Sequence, residues 1–248
     1  MLSTDAKLNE LVNRLKELGG SNLHSVLLYG SAARGDFHEQ HSDINVLCIL
    51  ASLGAGDLRR IAPAVRWWTA EQREPAPLFF TEEELQRSAD VFAIELLDIR
   101  DAHHVLYGKD PVATINIPMN LHRVELEHEL RTTLLKLRQH FLRSADNAHE
   151  LAAALAQSTS SVITLFRHVL IAFDETPPGS REGLVARIAA LADIDRTALA
   201  AALRVRDAGP ASHDIETLYG GYLVALEKVI VLLDHHVPKH EWQRVAKA

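Results

Sequence analysis

A change of hydrophobic periodicity near residue 118 is the feature that most constrains how this chain can fold. Before residue 118, short apolar runs such as HSVLLYG and DINVLCILA end in turns and predict buried strands. After it, long amphipathic patterns separated by ETPPGS and DAGPASHD predict helices. These predicted helices cover residues 120–145, 147–173, 183–192, 196–207 and 214–236.

The two patterns predict two domains. Residues 1–117 are expected to form an α/β domain, a mixed sheet flanked by helices, and residues 118–248 an all-α helical bundle. In the first domain, the leucines of STDAKLNELVNRLKELGG predict a helix that stops at two glycines. Another helix is predicted over 55–72, a strand in PAPLFF at 75–80, and a capping box in TEEE that opens a further helix.

Composition excludes several classes of protein. The net charge of −7 argues against an extended nucleic-acid-binding surface, which needs clustered Lys and Arg. No segment approaches the roughly 18 uncharged apolar residues that a membrane span requires. Cys48, the single cysteine, lies in the apolar run VLCIL and is expected to be a buried thiol. A reducing compartment fits this thiol, and we expect a cytoplasmic protein without a membrane partner.

A glycine-serine turn after the first predicted strand is a candidate phosphate-binding loop. Gly30 lets the backbone turn tightly and approach an anion, and Ser31 adds a hydroxyl group where a helix is predicted to start. Arg34 follows one turn later, where a guanidinium group can clamp a phosphate. Because strands, GS turns and helices occur together widely, this pattern alone has low specificity.

Oxygen-bearing side chains follow on the second predicted strand. Because side chains alternate along a strand, Asp43 and Asn45 are expected to face one side while Ile44 and Val46 face the core. Two oxygen ligands beside a phosphate-binding loop make a Mg²⁺ site a reasonable prediction.

The combination of GSAARG with SDIN, in which Ser42 lies eleven positions after Ser31, resembles the DNA polymerase β-like nucleotidyltransferase superfamily. The helical second domain is similar, more loosely, to that of small bacterial members such as aminoglycoside nucleotidyltransferases. The resemblance implies that a hydroxyl group attacks the α-phosphorus of a nucleoside triphosphate (NTP) and releases pyrophosphate. The predicted NTP-binding residues are Gly30, Ser31, Arg34 and Ser42, and the predicted catalytic and Mg²⁺-binding residues are Asp43 and Asn45.

Two departures from the family pattern predict impaired catalysis. The family has a second carboxylate where this chain has Asn45, and a third on a later strand, where PAPLFF has none. A carboxamide coordinates through oxygen but does not neutralise charge. One charge pair at about 4 Å is worth roughly 4 kcal/mol gross at an effective dielectric of 20. Losing a general base adds a penalty of about 10²–10⁴ in rate.

Other residues offer alternatives. Glu71 and Glu74 before the third strand, or the three glutamates of TEEE after it, could replace a missing acid; solvation of the first pair and helix capping by the second group are favoured. Glu95 and Asp98 could face a cleft or lie on an ordinary helical surface. Further candidates each have a structural alternative. His38 and His41 could contact phosphate, and Trp67 or Trp68 could stack on a base. His236 and His240 could bind zinc, Arg143 and His149 are spaced as in helical ribonuclease domains, and Arg131, Lys136, Arg138 and Arg143 could contact a triphosphate.

Three hypotheses for function follow. The first is an active nucleotidyltransferase that uses one well-held Mg²⁺ or a displaced carboxylate and modifies a hydroxyl group of a small molecule or a protein. The second is a pseudoenzyme that binds a nucleotide as a sensor or regulator. The third is a scaffold that associates through its helical bundle, for example as a homodimer through the apolar helix YLVALEKVIVLL.

Overall fold

The computed structural model describes residues 3–34, 43–208 and 214–236 of the 248-residue chain. The chain divides into two compact units, residues 1–118 and residues 119–248. Strands occur in the first unit, and the described part of the second unit is helical.

The described part of the first unit contains a four-stranded mixed sheet in the order β3-β2-β1-β4. Its strands are β1 (Leu23–Tyr29), β2 (Asn45–Leu50), β3 (Leu78–Thr81) and β4 (His103–Gly108). β1 pairs antiparallel with β2 and β4, whereas β2 and β3 are parallel. This mixed sheet confirms the predicted fold class. Two details differ from the prediction: β3 begins at Leu78 rather than at residue 75, and β4 was not predicted.

Helices flank the sheet in this unit. They are α1 (Thr4–Gly19), the single turn α2 (Ser31–Arg34), α3 (Ala55–Arg66), α4 (Glu82–Ser88) and α5 (Ala93–Asp101). A π-helical turn, Trp67–Glu71, extends α3 and accounts for the predicted helix over 55–72. The predicted capping box is present, because the Thr81 hydroxyl accepts from Glu84 N at 3.1 Å and the Glu84 carboxylate accepts from Thr81 N at 2.8 Å.

One face of the sheet forms a core with α1, α3 and the π-helical turn. β2 contributes alternate buried side chains to this core, and both tryptophans of the turn are buried, which agrees with the structural reading of Trp67 and Trp68. The main members are Leu8, Leu11, Leu15, Val26, Leu28, Val46, Cys48, Ile61, Trp67 and Trp68. β2 is buried on both faces beyond Asn45, because Leu47 and Ile49 between these core residues are buried as well.

The second unit consists of amphipathic helices at the predicted positions. They are α6 (Met119–Ser144), α7 (Ala148–Ala172), α8 (Arg181–Leu191), α9 (Arg196–Ala208) and α10 (Ile215–Asp234). The apolar side of α10, including Tyr219, Tyr222 and Leu226, is buried against helices of its own unit. From Tyr222 onward, this side belongs to YLVALEKVIVLL, the segment considered for a dimer interface, and it packs inside the bundle instead. None of the described helices combines the length and the hydropathy that a membrane span requires.

Candidate nucleotide site

The Gly30 turn links the end of β1 to the single-turn helix α2. Gly30 has φ +80°, a left-handed conformation that glycine adopts without strain. Its N–H donates to Ala102 O at 3.2 Å, and its carbonyl accepts from Ala33 N at 3.1 Å. Because α2 is only one turn long, its dipole is small. The Gly30 and Ala33 N–H groups already have backbone acceptors, so the Ser31 hydroxyl and the remaining N–H groups of the turn are the donors it offers to an anion.

Sheet pairing brings Asn45, the last residue of the SDIN pattern, next to this turn. Tyr29, the last residue of β1, lies opposite Asn45, the first residue of β2. A Cβ atom at residue 30 would lie 3.2 Å from Asn45 Nδ2, so the carboxamide is packed against the glycine backbone. The two halves of the sequence pattern are therefore neighbours at one end of the sheet.

The residues around Asn45 alternate as a strand requires. Ile44 and Val46 are each 1% exposed, whereas Asp43 is exposed and Asn45 is half-buried. Asp43 immediately precedes β2 and is therefore placed beside, not within, the regular strand. The Asp43 carboxylate and the Asn45 carboxamide carry the oxygen atoms that could serve as ligands of a cation at this end of β2.

Glu74 is the acid whose position differs most from expectation. The expectation that both Glu71 and Glu74 are solvated is wrong for Glu74, whose side chain is 11% exposed. Its carboxylate pairs with Lys7 Nζ at 2.7 Å and accepts from Ile44 N at 3.2 Å. Glu71 is exposed, as expected. Glu74 thus lies next to the Asp43 segment but is already engaged by two donors.

The remaining candidate acids have other positions. Glu82 and Glu83 are exposed in the first turn of α4, and Glu84 caps that helix. β3 carries no acidic residue. Glu95 is exposed on α5, where its charge acts on Tyr29. Burial, with a smaller contribution from Glu95, raises the pKa of Tyr29 to about 12, so this hydroxyl stays protonated near neutral pH and can only donate or accept a hydrogen bond.

The donor set at Asp43 and Asn45 fits one Mg²⁺ better than two. Within residues 3–34, 43–208 and 214–236, no group of three or more His, Cys, Asp or Glu side chains is arranged to hold a metal ion. One carboxylate and one neutral carboxamide provide hard oxygen donors but only one negative charge. A bound triphosphate would have to supply the other ligands and the rest of the charge.

Several predicted residues fall outside the described part of the chain. Ser42, His38 and His41 lie there, as does His240, the proposed partner of His236. For Arg34, the structure gives the backbone at the end of α2 but not the side chain. The roles of these residues remain predictions.

The basic residues of α6 are engaged mainly within their own unit. Arg131 pairs with Glu127 at 2.7 Å and with Asp234 at 3.7 Å, and Arg138 pairs with Glu227. These ion pairs agree with a charged helical surface rather than with a triphosphate contact. Lys136, Arg143 and His149 are exposed.

Comparison with known proteins gives two findings. Residues 8–101 match the family model of the nucleotidyltransferase domain. The fold is similar to that of spectinomycin adenyltransferase AAD(9) from Enterococcus faecialis, solved with ATP and spectinomycin. The TM-score is 0.56 at 13% sequence identity, over 94% of this chain and 100% of the other, which shows a shared fold. No curated protein matches the chain in sequence.

Proposed function

We propose that the protein binds an NTP and transfers its nucleoside monophosphate slowly to a hydroxyl group. The premise is that residues 8–101 form a nucleotidyltransferase domain, as the resemblance to the DNA polymerase β-like superfamily predicted. The observation that carries this proposal is the packing of Asn45 against Gly30. This contact joins a phosphate-binding turn to the segment with the oxygen donors, as nucleotidyl transfer requires.

The Gly30 turn is the proposed triphosphate site. Backbone N–H groups and the Ser31 hydroxyl are suited to phosphate oxygens, because both are donors at a position where glycine allows close approach. The guanidinium of Arg34 and the hydroxyl of Ser42 are the proposed additional donors from the sequence pattern. Together these groups would orient the triphosphate so that its α-phosphorus lies near Asp43.

Asp43 and Asn45 are the residues proposed to hold Mg²⁺. When bound, Mg²⁺ would neutralise phosphate charge and polarise the α-phosphate for attack. Asp43 contributes the single carboxylate, and the Asn45 carboxamide contributes a neutral oxygen. The family pattern has a carboxylate at the latter position, so this site holds less negative charge than a two-metal site needs.

The transfer step forms one bond and breaks one. The acceptor oxygen attacks the α-phosphorus, the bond to the β-phosphate oxygen breaks, and pyrophosphate leaves with that electron pair. The acceptor proton must pass to a base or to water. Because β3 carries no acid and Glu74 is engaged by Lys7 and Ile44 N, we expect this proton to leave without an efficient base.

The structural neighbour suggests which molecules to test first. It was solved with ATP and spectinomycin, and it shares the fold of this chain. We therefore propose ATP as the first nucleotide and small molecules with hydroxyl groups as the first acceptors.

A nucleotide-binding protein without transfer activity is the second candidate. The specific observation in its favour is the combination of Asn45 with an acid-free β3, because both remove charge or base strength needed for chemistry rather than for binding. Its ligand would be the same NTP, and its role would be that of a sensor or regulator.

Calorimetric titration of the four common NTPs in the presence of Mg²⁺, followed by a pyrophosphate-release assay, tests the proposal. Binding with slow release supports nucleotidyl transfer, and binding without release supports the sensor. If no NTP binds, both candidates are wrong, and the helical bundle becomes the region in which to seek the function, as a scaffold would require.

Two further expectations accompany the proposal. Cys48 is fully buried, and burial raises its thiol pKa well above the usual range, so an inert thiol agrees with the predicted cytoplasmic location.

A homodimer also stays a prediction, and light scattering of the purified chain is its direct test.

A further inference from the structure

The carboxylate of Glu74 connects Lys7 of α1 to the backbone of Ile44, the residue that follows Asp43. Glu74 Oε1 accepts from Lys7 Nζ at 2.7 Å, and Oε2 accepts from Ile44 N at 3.2 Å. Lys7 Nζ also donates to Gln72 O at 3.4 Å. The Lys7 and Glu74 side chains are 16% and 11% exposed, so the pair is largely shielded from water and is screened less than a surface pair.

The local sequence explains why a side chain is needed here. β3 pairs with β2 in parallel from Leu78, opposite Leu47. Pro75 and Pro77 have no N–H group and cannot donate to a ladder, so the regular pairing does not extend back to Ile44. The Ile44 side chain is buried, and its backbone N–H needs an acceptor at this end of the strand. Glu74 supplies that acceptor in place of a β3 carbonyl group.

This hydrogen bond acts directly on the geometry of Asp43. The N–H of Ile44 and the C=O of Asp43 belong to one planar peptide group. Holding that group fixes ψ of Asp43, which sets the direction of its Cα–Cβ bond relative to the Gly30 turn. A shift of about 1 Å in a ligand side chain is enough to weaken a site of this kind substantially.

We propose that Glu74, held by Lys7, is a positioning residue that orients the Asp43 carboxylate for a metal-bound triphosphate. This inference rests on the proposed function. Lys7 offsets the charge of Glu74, so that the acid provides an acceptor without adding an unbalanced negative charge beside Asp43. Glu74 differs from a displaced metal ligand because each of its oxygens already accepts from a donor of the protein.

Two double variants separate the hydrogen bond from the charges. Lys7→Met with Glu74→Gln removes both charges but keeps an oxygen acceptor for Ile44 N. Lys7→Met with Glu74→Leu removes the charges and the acceptor. We expect the Gln variant to bind ATP in Mg²⁺ within about threefold of the unmutated chain, and the Leu variant to bind about tenfold more weakly, as the loss of one buried hydrogen bond implies.

The same titrations without Mg²⁺, in a chelator, identify the cause. If Glu74 acts by orienting Asp43, the two double variants should bind metal-free ATP equally, since no metal then needs the Asp43 carboxylate. A merely structural role would weaken binding with and without Mg²⁺. Glu10→Gln is the matched control, because it breaks the Glu10–Arg14 pair of 2.7 Å on the same helix and should change neither titration.

Hydrogen exchange of the Ile44 amide, followed by NMR, tests the inference independently of nucleotide binding. Exchange should be faster in the Leu double variant than in the Gln double variant. Lys7→Met alone keeps the acceptor and should leave exchange slow. If the Leu double variant does not fold, Lys7→Met with Glu74→Ala, which also removes the acceptor, takes its place. Equal Ile44 exchange or equal MgATP affinity in all variants overturns the inference. If the unmutated chain binds no ATP, the proposed function fails, whereas the exchange rates still decide whether Glu74 holds this peptide group.

Discussion

The carboxamide of Asn45 lies against the backbone of Gly30, with Nδ2 3.2 Å from the position that a Cβ atom would occupy. The contact forms because Tyr29 and Asn45 are paired across β1 and β2. It places the proposed phosphate turn and the proposed Mg²⁺ ligands at one end of the sheet. A side chain at residue 30 would require the carboxamide to move by a few tenths of an ångström.

Gly30→Ala should therefore weaken both folding and nucleotide binding. The new Cβ would crowd Asn45, and alanine at φ +80° is strained, so we expect a loss of about 1–2 kcal/mol in the free energy of unfolding. ATP affinity should fall as well. Urea unfolding and calorimetry measure the two effects. The control is Gly56→Ala in α3, where an added Cβ meets nothing within 4 Å. The account is wrong at this position if the two variants behave alike.

Arg34→Ala should reduce ATP affinity by at least about tenfold. A hydrogen bond between a guanidinium and a phosphate is worth about 1.5–3 kcal/mol, which corresponds to roughly a 10- to 100-fold change in the dissociation constant. Calorimetry measures the loss. Arg59→Ala on α3 removes an exposed arginine of the same unit and should leave ATP affinity unchanged. Equal affinities of the Arg34 variant and the unmutated chain would exclude the predicted phosphate contact.

Glu127 should make the stability of the helical unit depend on pH. The hydrogen bond from Arg131 is the main cause that lowers the pKa of Glu127; burial opposes it, and the charges of Arg131 and Arg123 add to the lowering. A carboxyl group with a lowered folded pKa stabilises the fold above its unfolded pKa of about 4.3, and this contribution is lost as pH falls through the folded value.

Glu127→Gln should thus lower the free energy of unfolding at pH 7 by about 0.5–1 kcal/mol, as expected for two i, i+4 ion pairs. The difference from the unmutated chain should shrink under acid conditions below the ordinary carboxyl pKa. Urea unfolding across this pH range measures it. Glu129→Gln, an exposed glutamate of the same helix, is the control. A difference that does not change with pH would contradict the role given to these pairs.

The helices were predictable from sequence because their signals are local. The leucines of α1 recur at helical spacing, and each predicted boundary of α6 and α7 differs from the observed one by one residue. Burial of one face and adjacent turn residues specify such elements. The alternation of buried Ile44 and Val46 with Asp43 was predictable for the same reason.

Features that depend on distant residues were not predictable in this way. β4 has a mixed pattern of exposed and half-buried residues, and its identity as a strand depends on pairing with β1. Glu74 was expected to be solvated because no local pattern shows its contacts with Lys7 and with Ile44 N, 67 and 30 residues away. The two prolines before Leu78 were the one available signal that β3 would start late.

Pyrophosphate release by Asn45→Asp, compared with the unmutated chain and with Asp43→Asn, tests the central claim most directly. Aspartate has nearly the shape of asparagine, so this change restores the family's second carboxylate with little disturbance of Gly30. We expect Mg²⁺-dependent release from ATP to rise by about 10- to 100-fold, a part of the gross charge interaction with a divalent ion. Asp43→Asn should reduce release to the background rate. If Asn45→Asp is no faster than the unmutated chain, or if Asp43→Asn is equally fast, the proposed site does not carry out nucleotidyl transfer.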